Sequence, residues 1–299
     1  MRQRRVRGIE EKLAEYSELI LKPAVQPEVT QRFEETLSAD RPEAALRFDG
    51  TLPAASQVAL VEETTASSSY ANLQAPIAAE PLGSEKNFYN ERYVRWYQRL
   101  SEQFILPEGF ERTYVEFGCG RGQFINALAE NDPNSLYIGV EGCKTIVYRA
   151  IKKTKEASLK NLYFIEEFIN DASTAFSENS LSGIFLNFSD PWPKDRHADR
   201  RLTAPLKTNS YKQILKPGGF AGLKTDNEPL FDYSLKIFEE AGFLIEKSSR
   251  NLEEIRESSF DFSGQGIDAA VRGLFTQTEY EQKFRASGLP IYYFLARKL

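Results

Sequence analysis

From residue 113 onward, apolar positions fall in short runs separated by longer stretches in which they recur every three to four positions. The runs at Thr113–Phe117, Leu136–Val140, Leu162–Ile165, 183–188, 220–224, 243–247 and 291–296 are rich in β-branched and aromatic residues and predict strands. Helical spacing between most of them predicts helices over 123–130, 145–155, 203–215 and 229–241. Alternation of this kind implies an α/β fold, a mainly parallel sheet with helices on both faces. Such sheets bind ligands at the carboxyl ends of their strands, beside the point where strand order reverses.

Upstream the pattern changes twice. Residues 1–23 open with Arg2, Arg4, Arg5 and Arg7 and continue as a short helix over about residues 10–21. Residues 24–86 are dominated by Pro, Ala, Ser, Thr and acids, with few apolar anchors at any period. That composition predicts a mostly disordered acidic insertion, a flexible linker in its simplest form. Helical spacing returns with Phe88, Tyr89, Tyr93, Trp96, Tyr97, Leu100 and Phe104, and the remainder, 87–299, reads as one domain.

The formal charge of the 299 residues is −5, which argues against a nucleic-acid partner until its distribution is considered. Residues 24–86 hold ten acids and four bases, so this stretch alone carries −6 and the rest of the chain +1. Local clusters therefore decide the partner. No apolar run is long enough to cross a membrane and the Arg-rich start has no apolar core behind it, so a cytoplasmic protein is expected. Cys119, Cys143 and His197 provide no zinc spacing, and no metal site is expected. A Cys/His or Ser/His/Asp arrangement would have to use His197, the only histidine, which falls in a charged loop.

In “YVEFGCGRGQF” a strand meets Gly118, Gly120 and Gly122 and then a helix. Gln123 stands where the dinucleotide fingerprint requires Gly or Ala. The form present, G-x-G-x-G after Glu116, resembles class I S-adenosylmethionine-dependent methyltransferases. Glu141 closes the next strand, where a carboxylate accepts hydrogen bonds from both hydroxyls of a ribose. Glu116 either meets the cationic methionyl end of that cofactor or is a strand-terminal acid facing solvent.

A fourth strand breaks into Asp190-Pro191-Trp192-Pro193 and then into Lys194, Arg196, Arg200 and Arg201. The prolines restrict the backbone around Asp190 and pre-position its carboxylate at the sheet edge. Trp192 either walls the pocket or packs in the core. The four cations read as a rim that grips RNA phosphates, or, more blandly, as a charged loop.

Together, “NFSDPWPKDRHADRRLT”, “LKTDNEPLFDYSL” and “TQTEYEQKF” resemble the bacterial tRNA (guanine-N7-)-methyltransferase family, over residues 1–23 and about 88–299 in order. The resemblance implies a Rossmann-like seven-stranded sheet, S-adenosylmethionine as cofactor, and methyl transfer to N7 of a variable-loop guanine of tRNA, by a monomer or a homodimer. It implies catalysis by Asp190, and cofactor contacts from Glu116, Gly118, Gly120, Glu141, Glu167, Phe168 and Asp190. Substrate contacts are implied for Lys194, Arg196, Arg200, Arg201, Asp226, Thr278, Glu279, Tyr280 and Glu281. Three departures stand out. Asp195 replaces a usual second base, Phe168 falls where Asp or Asn is expected, with Glu167 and Asp171 nearby, and the acidic insertion is foreign to the pattern. A non-catalytic RNA-binding relative is the first rival reading, opposed by the intact acids Glu116, Glu141, Asp190 and Asp226. A methyltransferase for small molecules is the second, and it leaves the basic rim and basic N-terminus unexplained.

Overall fold

A computed structural model describes residues 6–23, 103–254 and 272–299. The acidic stretch 24–86, the aromatic-rich stretch up to residue 102 and the arginines at 2, 4 and 5 lie outside them. Seven strands occur among the described residues: β1 (Thr113–Phe117), β2 (Leu136–Val140), β3 (Leu162–Ile165), β4 (Leu181–Asn187), β5 (Leu215–Thr225), β6 (Phe243–Ser249) and β7 (Tyr292–Lys298). They form one sheet in the order β3-β2-β1-β4-β5-β7-β6. The first five strands pair in parallel, and β7 is antiparallel to both of its neighbours. Chain order reverses between β1 and β4, so the switch point lies where the glycine loop and the Asp190 loop emerge.

Helices among the described residues include α1 (Ile9–Ala14), α2 (Gln123–Asn131), α3 (Lys144–Glu156), α4 (Pro205–Ile214), α5 (Glu228–Glu240) and α6 (Glu279–Ala286). Adjacent strand residues point to opposite faces. Tyr114, Tyr137, Phe164 and Phe185 pack with Phe124 and Ile151 of α2 and α3. Val115, Ile138, Ile165 and Ile184 pack with Tyr211 of α4 and Phe238 of α5. This two-sided burial explains why the strands read as continuous apolar runs.

One boundary moved for a reason of pairing, and one helix was not read from the sequence. β5 starts at Leu215, ahead of its apolar run, because Leu215 pairs with Leu181 of β4. α6 is absent from the sequence reading because its one fully buried residue is Glu281, with Phe284 only partly buried against the core. The N-terminal segment covers the edge of β3, with the Leu21 N–H donating to the Phe164 carbonyl at 2.8 Å. Lys144 ties that segment down through Glu10 at 2.8 Å and reaches Glu166 at 3.0 Å. Pro23 then bridges to Phe104.

Candidate active site at the carboxyl edge of the sheet

Between β1 and α2 the backbone turns through three left-handed glycines, Gly118, Gly120 and Gly122, with φ of +74°, +56° and +71°. Gly122 is required twice over: a Cβ there would lie 2.6 Å from that of Ala150, where α2 crosses α3. The next strand fixes the loop. Glu141 Oε2 accepts the Gly120 N–H at 3.2 Å, and its Oε1 accepts the Cys143 N–H at 2.9 Å. Each oxygen keeps a lone pair, which suits the two hydroxyls of a ribose. Burial raises the Glu141 pKa, the two N–H donors oppose that, and the charge of Asp190 adds to it, placing both acids in one field.

Glu116 is buried, not solvent-facing. Its Oε1 accepts the Asn187 side-chain N–H at 2.9 Å, while Oε2 is buried with no hydrogen-bond partner. Burial pushes the carboxyl up to about 8, against the pull of Asn187 and Lys224. An unmatched buried acceptor beside the glycine loop fits a cationic donor such as the methionyl ammonium of S-adenosylmethionine. The ring of Phe168, 78% exposed, lies against Gly142, where an added Cβ would come within 2.4 Å of it. An aromatic face thus stands just past Glu141, with Glu167 half-buried beside it. Asp171 is committed elsewhere, accepting from the Ser173 N–H at 3.0 Å and hydroxyl at 2.6 Å.

β4 delivers Asp190, exposed, on a loop whose backbone is strained. Phe188 and Trp192 take φ of +48° and +41°, positions that cost non-glycine residues about 1–3 kcal/mol each. A 3-10 turn, Asp195–Arg200, follows and carries the cations. Lys194, Arg196 and Arg200 are exposed, and the Arg200 guanidinium sits 5.0 Å above the Trp192 ring. Trp192 is half-buried, with His197 edge-on to it at 5.8 Å. Arg201 departs from the expected rim: its Nε and Nη2 donate to the carbonyls of Pro191 and Trp192, both at 3.1 Å.

The helix α6 closes the far side. Thr278, expected at the substrate, caps it by accepting the Glu281 N–H at 2.9 Å. Glu281, also expected there, is 1% exposed and pairs with Lys224, 3% exposed, at 3.0 Å, while Arg285 holds its other oxygen. The Lys224 ammonium also donates to the Thr276 carbonyl at 2.7 Å, and burial lowers its pKa against the opposing pull of Glu281. Glu279 accepts from Lys153 at 3.0 Å and from Arg121 of the glycine loop at 3.4 Å. Tyr280 remains 57% exposed, its ring near-parallel to those of Phe188 and Phe284. Asp226 ends half-buried just past β5, beside the α5 cap Asn227. Sequence reasoning missed Asn187 and Lys224. Each is a polar residue at or next to the end of an apolar strand, a signal for a buried partner.

Among the described residues no group of acids, histidines and cysteines could hold a metal, and no helix is long and apolar enough to cross a membrane. A family model described as putative methyltransferase matches residues 111–294. The chain is 39% identical over 179 residues to a tRNA (guanine-N(7)-)-methyltransferase of Brevibacillus brevis, covering 60% of this chain and 77% of that one. It is 36% identical to the Bacillus subtilis protein of the same name, over the same shares. A solved SAM-dependent methyltransferase from Aquifex aeolicus aligns over 70% of this chain and 89% of its own, at 13% identity and a TM-score of 0.42. With the family model spanning β1 through the start of β7, and relatives matched over three quarters of their length, the chain belongs to the tRNA (guanine-N(7)-)-methyltransferase family.

Proposed function

We propose that this protein transfers a methyl group from S-adenosylmethionine to N7 of a variable-loop guanine in tRNA. The observation that carries the reading is the pairing of the Glu141-braced glycine loop with Asp190 across the switch point, directly before a cationic rim. The names of the matched relatives support the same substrate. When bound, the cofactor supplies a methyl group on a cationic sulfur. In this reading Glu141 accepts the ribose hydroxyls, Glu116 Oε2 takes the ammonium, and Phe168 walls the adenine.

Guanine N7 carries a free lone pair, so no residue is needed as general base. The protein's task is alignment, and effective molarity makes alignment a large part of the acceleration. As the purine becomes cationic, the Asp190 carboxylate stands where positive charge develops. Asp226 accepts the N1–H and N2–H donors that distinguish guanine from adenine, and Tyr280 offers a backed aromatic face to the base. Glu279 serves the loop through Arg121 and Lys153 in place of the base. Lys194, Arg196 and Arg200 hold phosphates and so position the RNA without reading its sequence.

The reading is tested by incubating the protein with labelled S-adenosylmethionine and unmodified tRNA, then mapping the methyl group by borohydride–aniline cleavage. Cleavage at a variable-loop guanine is expected. Label elsewhere in the tRNA, or none, would overturn the substrate assignment.

A further inference from the structure

The cluster after Asp190 contains four cations, and the structure treats one of them differently. One whole edge of the Arg201 guanidinium, Nε and Nη2, forks onto two consecutive carbonyls, Pro191 and Trp192, at 3.1 Å each. Those are the two residues directly after Asp190, and Trp192 is one of the two left-handed residues that bracket it. The guanidinium plane also rests 4.3 Å from the ring of Tyr233 on α5. Tyr211 of α4 donates to the carbonyl of Leu202, the next residue, at 3.0 Å. The loop is therefore tied to two helices of the sheet's covering layer. Arg200, one residue earlier, makes no such fork and lies exposed over the Trp192 ring.

We propose that Arg201 is a positioning residue for methyl transfer: it holds the strained Asp190-Pro191-Trp192 turn in the one conformation that presents Asp190 to the guanine, and it is not a phosphate grip. This rests on the reading of Asp190 as the reacting-site acid. The physical reason for arginine is the fork. A left-handed tryptophan is disfavoured, and a turn held by two restricted prolines and one strained residue has few hydrogen bonds of its own. Two parallel N–H donors fix the orientation of both carbonyls, whereas a lysine ammonium is a point charge that cannot satisfy both in one plane.

The test compares Arg201→Ala and Arg201→Lys with the wild-type full chain, measuring single-turnover rate at saturating tRNA, the salt dependence of tRNA affinity, and affinity for S-adenosylhomocysteine. Both variants are expected to lower the single-turnover rate about 10- to 100-fold, the scale of a small misplacement of a reacting group. The salt slope should stay at the wild-type value, because no phosphate contact is lost. Affinity for S-adenosylhomocysteine should also stay unchanged. Tyr233→Leu removes the support under the guanidinium without touching the turn, and a several-fold rate loss at wild-type salt slope is expected there, with Tyr233→Phe near wild type. Full rate in Arg201→Lys would overturn the proposal, since charge alone would then suffice. So would a wild-type saturating rate in Arg201→Ala with a salt slope shallower by about one, the signature of a phosphate contact. Asp190→Ala separates the two levels: if that variant keeps the wild-type rate, the site reading itself fails, whereas a dead Asp190→Ala beside a fully active Arg201→Ala refutes only the positioning role.

Discussion

At the scale of single residues, the site is organised by what each carboxylate lacks or already holds. Glu141 is half satisfied by two backbone donors, Glu116 has an unmatched oxygen, and Glu279 and Glu281 are already paired. Asp190 is left exposed at the edge. Asp190→Asn is therefore expected to lower the single-turnover rate about 100-fold or more while tRNA affinity changes little, as one carboxylate contributes little to an electrostatic interface. Rapid quench with excess protein measures it, and a wild-type rate would remove Asp190 from the reaction. Glu116 carries a pH signature. Its folded-state pKa of about 8 lies above the value of an unfolded glutamate, so the folded state keeps a proton that the unfolded state releases. The associated stability is whole below about pH 4 and is lost as pH rises to about 8. Glu116→Gln should flatten this slope in ligand-free melting curves taken across that range. A cationic donor on Oε2 favours the ionised form. Binding of S-adenosylhomocysteine at neutral pH should therefore release a proton in wild type and none in Glu116→Gln, read from calorimetry in buffers of different ionisation enthalpy.

At the scale of elements, α6 shows how a polar helix is held by a buried ion pair beside one partly buried apolar contact, Phe284. Its N-cap is Thr278, and its one fully buried side chain, Glu281, is anchored by Lys224 from β5 and by Arg285 one turn on. Removing one member leaves a buried charge short of a partner, so Lys224→Met should destabilise the protein by about 3–5 kcal/mol, towards the lower end because Arg285 remains. Lys224→Met with Glu281→Leu should recover much of that loss. Denaturant melts of the two single variants and the double variant give the coupling directly, and additive effects would mean that the pair does not anchor the helix. Tyr280 of this helix stacks with Phe188 of the Asp190 loop, so loosening the helix should also raise the KM for tRNA. The element escaped detection because periodicity registers apolar residues, and here the inward position is a glutamate.

At the scale of the whole molecule, the acidic stretch 24–86 differs from the rest of the chain in its composition. Pro23 and Phe104, which flank the residues outside the described structure, are bridged. Loop closure then depends weakly on how many residues lie between, about 0.6 kcal/mol per doubling. Deleting residues 24–86 is expected to leave the melting temperature and S-adenosylhomocysteine affinity close to the parent values and methyl transfer largely intact. A truncated protein that fails to fold would make the stretch integral to the body. Higher activity after truncation would instead point to its acids competing for Lys194, Arg196 and Arg200.

Local chemistry determined the strands, four of the helices, the glycine turn, Glu141 at the end of β2 and Asp190 at the end of β4. Each depends on neighbours in sequence, on apolar spacing, on glycine's access to positive φ and on proline's restriction. The resemblance added a cofactor and a reaction, and it named the α6 peptide without revealing that it is a helix. Tertiary structure alone decided which polar groups face the site and which are buried beneath it. Thr278 and Glu281 turned inward because a helix cap and a buried ammonium needed them, and Arg201 turned onto the Asp190 loop, where two consecutive carbonyls accept its fork. Asn187, Lys224 and Glu116 became one buried group because three parallel strands end side by side. Such partnerships join residues far apart in the chain, so they have no period or spacing to read; a buried polar atom finds its partner only once the sheet has brought the strand ends together.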